Sequence, residues 1–231
     1  MKIPILYEDN HLLVVEKPIN VPVQGDSSGD LDLLTILKND IKIRYQKPGN
    51  VYLGLVHRLD RPVGGAIVFA KTSKAASRLS DMIRRNNIER QYIAVVHGTP
   101  KKKNGQLVHY LLKNQKENKV SVVSSNHPKA KKAVLDYKVL DSKDGLSLLS
   151  VKLHTGRPHQ IRVQLSSIGH PIFGDQKYGE RLSKPGQQIA LWAQSLQLIH
   201  PVRKELVEVY SIPPKNYPWE LWKIKNTSEI V

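Results

Sequence analysis

An aspartate set between two arginines, Arg58-Leu59-Asp60-Arg61, is the stretch of this chain best equipped for chemistry. His57 precedes it and Pro62-Val63-Gly64-Gly65 closes it. Nearby guanidinium charge favours the ionised carboxylate. An ionised, positioned carboxylate can act as a nucleophile or a general base. The same residues also suit a plainer role, an Arg–Asp salt bridge that pins a loop, and composition alone favours it. Pro62 cannot donate to a strand ladder, and paired glycines let a backbone turn or approach a ligand closely. The apolar run Ala66-Ile67-Val68-Phe69-Ala70 predicts a buried strand. Asp60 is therefore expected on a rigid turn at the lip of a sheet, with Arg58 and Arg61 near it.

A second stretch, Thr155-Gly156-Arg157-Pro158-His159-Gln160-Ile161-Arg162, predicts a loop running into a helix. Pro158 suits the first helical position and Gly169 a stop just past the end. Ile161, Leu165 and Ile168 share one face, and Arg162 flanks it, so its guanidinium can turn back toward a neighbouring loop. A forked guanidinium can orient a carboxylate and hold it ionised; a helix-surface salt bridge is the alternative. Between the two stretches, Glu89 to Val96 predicts a strand carrying Tyr92, a position usually taken by a core or edge aromatic. His57, His154, His159 and His170 fit no zinc spacing, and no acid or thiol completes a set. They are expected as hydrogen-bonded histidines, with no metal and no cofactor.

The elements that must position these residues follow from periodicity. Ile5-Leu6-Tyr7 and Leu12 to Val15 read as strands joined by a turn, the second ended by Lys17-Pro18, whose lysine is expected to be solvated. Asp30 or Asp32 can cap a helix to about Ile43 with Leu33, Leu34, Leu37 and Ile41 on one face. Val51 to Val56 predicts the strand that delivers the Asp60 loop. Thr72 or Ser73 can cap a helix striped with Ala75, Ala76, Leu79, Met82 and Ile83, leaving Arg78, Arg84 and Arg85 on a solvated face. From Lys101 to Lys132 nine lysines face one acid, Glu117. Weak alternation there suggests hairpins with basic tips that could track a phosphate backbone through counterion release, Lys101, Lys102 and Lys103 first among them. Strands are expected from Ala133 to Leu140 and Leu146 to Leu153 around the turn 141–145. Further strands are expected over 188–193, 196–199 and 206–210, with Trp192 in the core. A short helix carrying Trp219 and Trp222 should end the chain.

Composition limits the partners. With 36 basic and 20 acidic side chains in 231 residues, the formal charge is 36 − 20 = +16. That excess points to a polyanion, nucleic acid before an anionic membrane surface, although a merely soluble basic protein would also show it. No cysteine is present, which excludes a disulfide framework and thiolate metal sites. No apolar run approaches spanning length and the start of the chain lacks a secretory core, so a soluble, cytoplasmic protein is expected.

Taken together, three motifs resemble the RluA-type pseudouridine synthases: His57-Arg58-Leu59-Asp60 before a Gly-rich turn and strand, Arg90-Gln91-Tyr92-Ile93-Ala94, and Thr155 to Arg162 with its sequel His170-Pro171-Ile172-Phe173-Gly174-Asp175-x-x-Tyr178-Gly179. The opening Tyr7-Glu8-Asp9-Asn10-x-Leu12-Leu13-Val14-Val15-x-Lys17-Pro18 is similar to the start of that catalytic domain. The chain departs from the family in having Val63-Gly64-Gly65 for a hydroxyl-bearing turn, Gln164 for a histidine, and Trp192 for a histidine. The resemblance implies an α+β pseudouridine synthase fold: a long, curved, mostly antiparallel mixed sheet with flanking helices and a central RNA-binding cleft. It implies one catalytic domain over 1–231, without a separate RNA-binding domain ahead of it. It implies that uridine in ribosomal or transfer RNA is isomerised to pseudouridine, with the nucleotide flipped out at a cost of roughly a few kcal/mol. Asp60 would be essential, Arg162 would pair with it, and Tyr92 would stack on the base and serve proton transfer. Arg58, His57, Arg157, Lys101, Lys102 and Lys103 would bind the RNA. The rivals are a non-catalytic RNA-binding protein on the same scaffold and a metal-dependent hydrolase using His57, His154 and His159. A monomer is expected.

Overall fold

The computed structural model describes residues 1–179 and 181–225. In chain order the elements are β1 (Ile5–Glu8), β2 (Leu12–Lys17), α1 (Leu33–Arg44), β3 (Gly54–Leu55), β4 (Gly64–Ala70) and α2 (Ser73–Arg84). Then come β5 (Ile88–His97), β6 (Asn104–Asn114), β7 (Lys119–Val123), β8 (Lys131–Lys143) and β9 (Leu146–Leu153). The last are α3 (Gln160–Ser167), β10 (Leu191–Ile199), β11 (Leu206–Tyr210) and a 3₁₀ turn at Trp219–Leu221. This is an α+β fold, as the motifs imply, and it divides into two compact units: Met1–Arg90 with Ala193–Ile212, and Gln91–Trp192 with Pro213–Val231.

In the first unit β1 and β2 form an antiparallel hairpin whose turn is closed by Asp9, its Oδ1 accepting the His11 and Leu12 amides at 2.7 Å each. β2 pairs with β4 from Leu12↔Ala70 to Lys17↔Gly65. Every residue of β4 is buried, the continuous apolar run read from sequence. Its core is Leu12, Val14, Ala66 and Val68 against Ala75 and Leu79 of α2 and Leu196 and Val209 of β10 and β11. Both helices start where a side-chain cap was expected: Asp32 accepts the Thr35 amide and Thr72 the Ala75 amide. Two expectations need correction. The strand expected over Val51 to Val56 is only Gly54–Leu55, because Gly54 already pairs with Ala70, the last residue of β4, and anything earlier runs past its end. Gly64 and Gly65 belong to β4 and not to the turn. Gly65, at φ 113°, makes its close approach to backbone, not to a ligand: a Cβ there would lie 2.3 Å from the Ala193 carbonyl oxygen.

In the second unit the strand order is β5-β9-β8-β6-β7, each neighbour antiparallel. The lysine-rich stretch is therefore largely sheet, with Lys101, Lys102 and Lys103 exposed just before β6. The β8–β9 turn shrinks to Asp144-Gly145, both at positive φ (52° and 72°), which matches the twist of a tight hairpin. Val163 of α3 packs against Leu111, Val120 and Ala133 of the strands. That helix begins at Gln160, later than Pro158 suggested, because His159 sits in the left-handed region at φ 51° and cannot belong to it. The strands expected over 188–193 and 196–199 are one strand, β10, and Trp192 is buried as expected.

Candidate active site

The Asp60 loop hangs between β3 and β4 and is fastened at three points. The Asp60 carbonyl accepts the Val63 amide at 3.0 Å, closing a turn with Arg61 and Pro62 at its centre. Behind it, His57 Nε2 accepts the Val68 amide at 3.2 Å, tying the loop to β4. A ring nitrogen that accepts must be unprotonated, and burial together with the charge of Arg90 pushes the His57 pKa down to about 3. Below, the Lys17 ammonium donates to the carbonyls of Pro18 (2.7 Å), Val21 (2.7 Å) and Arg61 (2.9 Å).

Lys17 corrects the solvated lysine expected at the end of β2: it is 0 % exposed. Burial pushes its pKa down to about 7, the Asp60 carboxylate opposes that fall, and the Arg61 charge adds to it. Three carbonyls match the three hydrogens of an ammonium. The cation held beneath the Asp60 loop is therefore this lysine. The Arg61 guanidinium is turned instead to the Asn20 carbonyl (3.2 Å), Ser28 (3.0 Å) and Asp30. Asp60 itself remains partly exposed. Arg58 is exposed and makes no hydrogen bond or ion pair with any described residue. The first unit thus brings His57, Arg58 and Asp60 together on one braced loop and adds Lys17, which sequence reasoning missed. The missed signal was available: a lysine directly before a proline, two residues after Val15 and so on the same face of a largely apolar strand, has poor access to water.

In the second unit, Arg162 lies on α3 and is buried rather than on the helix surface. Its guanidinium forks onto Asp175, Nε to Oδ2 and Nη2 to Oδ1, both at 2.8 Å. The Tyr178 ring lies 5.2 Å from its carbon. Asp175 also accepts the Lys177 and Tyr178 amides at 2.9 and 3.2 Å, so its carboxylate is itself fixed. Tyr178 hydroxyl meets His159 Nδ1 at 2.7 Å and accepts the Val120 amide at 2.8 Å, which explains how His159 keeps its strained backbone. Gln160 clamps the preceding loop: its Oε1 accepts from Thr155 (2.7 Å) and the Arg157 amide (3.0 Å), and its Nε2 donates to the Val134 carbonyl (3.0 Å). Arg157 Nε donates to the Lys132 carbonyl at 3.0 Å. Gln164, standing where the resembled family has histidine, is buried and donates to the Leu107 carbonyl (3.2 Å) and His109 Nδ1 (3.1 Å), a strut between helix and strand. Tyr92 is buried on β5 opposite Val151.

The histidines that invited a metal are hydrogen-bonded as expected: His154 to Asp136 at 2.6 Å, His159 to Tyr178, and His170 Nδ1 to the His97 carbonyl at 3.0 Å. Among the described residues no group of His, Cys, Asp or Glu is arranged to hold a metal ion. No helix among them is long and apolar enough to cross a membrane.

The family model for RNA pseudouridylate synthase matches residues 11–167. An uncharacterized RNA pseudouridine synthase of Bacillus subtilis (strain 168) is 36% identical over 209 residues, 89% of this chain and 67% of that protein. Ribosomal large subunit pseudouridine synthase C of Buchnera aphidicola subsp. Acyrthosiphon pisum is 36% identical over 176 residues, 76% of this chain and 54% of that protein. The chain thus spans about half to two thirds of the length of these relatives. Among solved structures, human RNA Pseudouridylate Synthase Domain Containing 4 superposes with a TM-score of 0.78 at 25% identity, over 94% of this chain and 91% of the other.

Proposed function

The chain belongs to the RNA pseudouridylate synthase family, and from that premise we propose that it isomerises uridine in ribosomal RNA to pseudouridine with Asp60 as the essential group. Of the two RNA classes expected, ribosomal RNA is the one in the name of the Buchnera relative. The observation that carries the assignment to Asp60 is its setting. The loop is braced by Lys17, His57 and its own turn, yet Asp60 stays partly exposed, which is what a residue acting on a macromolecule requires.

The glycosidic bond between N1 and the sugar carbon breaks, the uracil turns over, and a bond from C5 to the same carbon forms. C5 gives up its proton and N1 gains one, so the product is an isomer and no redox partner or donor is consumed. Asp60 acts at the sugar or the base while the bond is broken. Arg162 pairs with it, held ready by the Asp175 fork, and Tyr92 lies against the everted uracil and serves the proton transfer. Arg58, exposed beside the loop, takes the space the base leaves or holds its phosphate. Arg157 and the exposed Lys101, Lys102 and Lys103 contact the RNA backbone, and His57 serves by keeping the loop in place.

Purified protein is incubated with ribosomal RNA transcribed without modification, and pseudouridine is mapped. Wild type forms the isomer. Asp60→Asn forms none while binding the RNA with comparable affinity. Equal turnover by the variant removes Asp60 from the mechanism; binding without turnover by wild type leaves an RNA-binding protein on this scaffold.

A further inference from the structure

Arg90 is a residue the proposed mechanism leaves unused, and its surroundings are unusual. It is 8 % exposed, and its Nε is buried with no hydrogen-bond partner. No described residue makes a hydrogen bond or ion pair with its side chain. A guanidinium does not deprotonate in a protein, so the residue keeps a positive charge whose Nε is shut off from water and whose terminal nitrogens alone reach solvent. Among the described residues, the other buried lysine and arginine side chains have their acceptors: Lys17 has three carbonyls and Arg162 has Asp175. The charge of Arg90 opposes protonation of His57, the ring that anchors the Asp60 loop. Along β5 the burial alternates, with Ile88, Arg90 and Tyr92 buried and Glu89 exposed, so Arg90 takes its place on the inward side of the strand by the two-residue period.

An uncompensated, preorganised guanidinium suits an anion with a planar pair of oxygens, and the polyanion implied by the +16 charge and the family is RNA. We propose that Arg90 is a phosphate-binding residue of the first unit, taking a backbone phosphate of the bound RNA beside the His57–Asp60 loop. The proposal rests on the reading that RNA is the substrate. Binding the phosphate supplies the missing counter-charge, so the free protein carries a local instability that RNA relieves.

The two halves of that statement give opposite signs, and a merely structural arginine would give one. Arg90→Met is expected to unfold at the same temperature as wild type or higher when free, because an unpaired buried charge is gone. It is expected to bind RNA about tenfold or more weakly, with the slope of log affinity against log salt reduced by about 1. Inorganic phosphate, compared with chloride at equal ionic strength, should raise the melting temperature of wild type and not that of the variant. Arg90→Gln carries the same expectations and stands in if the methionine variant does not fold. An unchanged salt slope and affinity overturn the proposal. So does a variant that is less stable when free and equally phosphate-responsive, and so does failure of both variants to fold, which would make Arg90 part of the framework. Binding is read without turnover, so loss of isomer formation by wild type would count against the isomerase reading and leave this one standing.

Discussion

Three side chains hold the candidate chemistry in place without taking part in it, and each makes a separate prediction. Lys17 satisfies carbonyls from β2, the loop after it and the Asp60 loop. Lys17→Met leaves those acceptors buried and unpaired, at about 1–3 kcal/mol for each one that water does not reach. Denaturant unfolding should therefore show a lower midpoint, and turnover should fall because the Asp60 loop loosens. His57 gives a pH dependence. Its unfolded form takes a proton near 6.5, its folded form only near 3, because burial and Arg90 oppose the charge. Between those values the unfolded chain holds a proton that the folded chain refuses, so stability falls as pH drops from about 6.5 toward about 3. His57→Gln can still accept the Val68 amide and has no proton to gain. Its urea midpoint should change less than that of wild type between about pH 7 and about pH 4.5. Asp175 faces Arg162 through two hydrogen bonds from inside the fold. Asp175→Asn removes the charged half of a buried, doubly hydrogen-bonded ion pair and should cost about 3–5 kcal/mol by denaturant unfolding. In the fraction that folds, kcat should fall while RNA affinity stays near that of wild type.

At the scale of elements, the site depends on where strands and helices stop. β3 ends its pairing with Phe69 and the chain leaves the sheet at Val56, so residues 56–63 are free to form the loop. β4 then re-enters the sheet beside β10 at Gly65, where only a hydrogen fits against the Ala193 carbonyl. Gly65→Ala meets that oxygen and also a positive φ, so it should destabilise by about 3 kcal/mol or more, read from the urea midpoint, and disturb the loop that starts there. Much of this was legible. The caps at Asp32 and Thr72, the buried run of β4 and the Arg162 helix all follow from local pattern. The length of β3, the late start of α3 and the burial of Lys17 were not. Each depends on a partner distant in sequence: the end of β4 at Ala70, the hydroxyl of Tyr178 at His159, and the Arg61 carbonyl.

For the molecule as a whole, the charge of +16 is the property that matters for an RNA. Lys101, Lys102 and Lys103 are exposed just ahead of β6 and need no rearrangement to meet phosphates. Replacing all three by glutamine should flatten the salt dependence of RNA binding by about 0.7–0.9 for each lysine that releases a counterion, measured by titration at several salt concentrations. Melting should change little, since exposed lysines contribute little to stability. An unchanged slope would make these residues bystanders.

By itself the sequence determined the family: short motifs are local, so the resemblance that singles out Asp60, Tyr92 and Arg162 as the proposed reacting groups is readable before any fold is known. Only the tertiary structure decided what holds those groups. The ammonium beneath the Asp60 loop, the carboxylate behind Arg162 and the partnerless Nε of Arg90 are facts of burial, set by residues far apart along the chain, and burial is what turns a common side chain into a costly and therefore informative one.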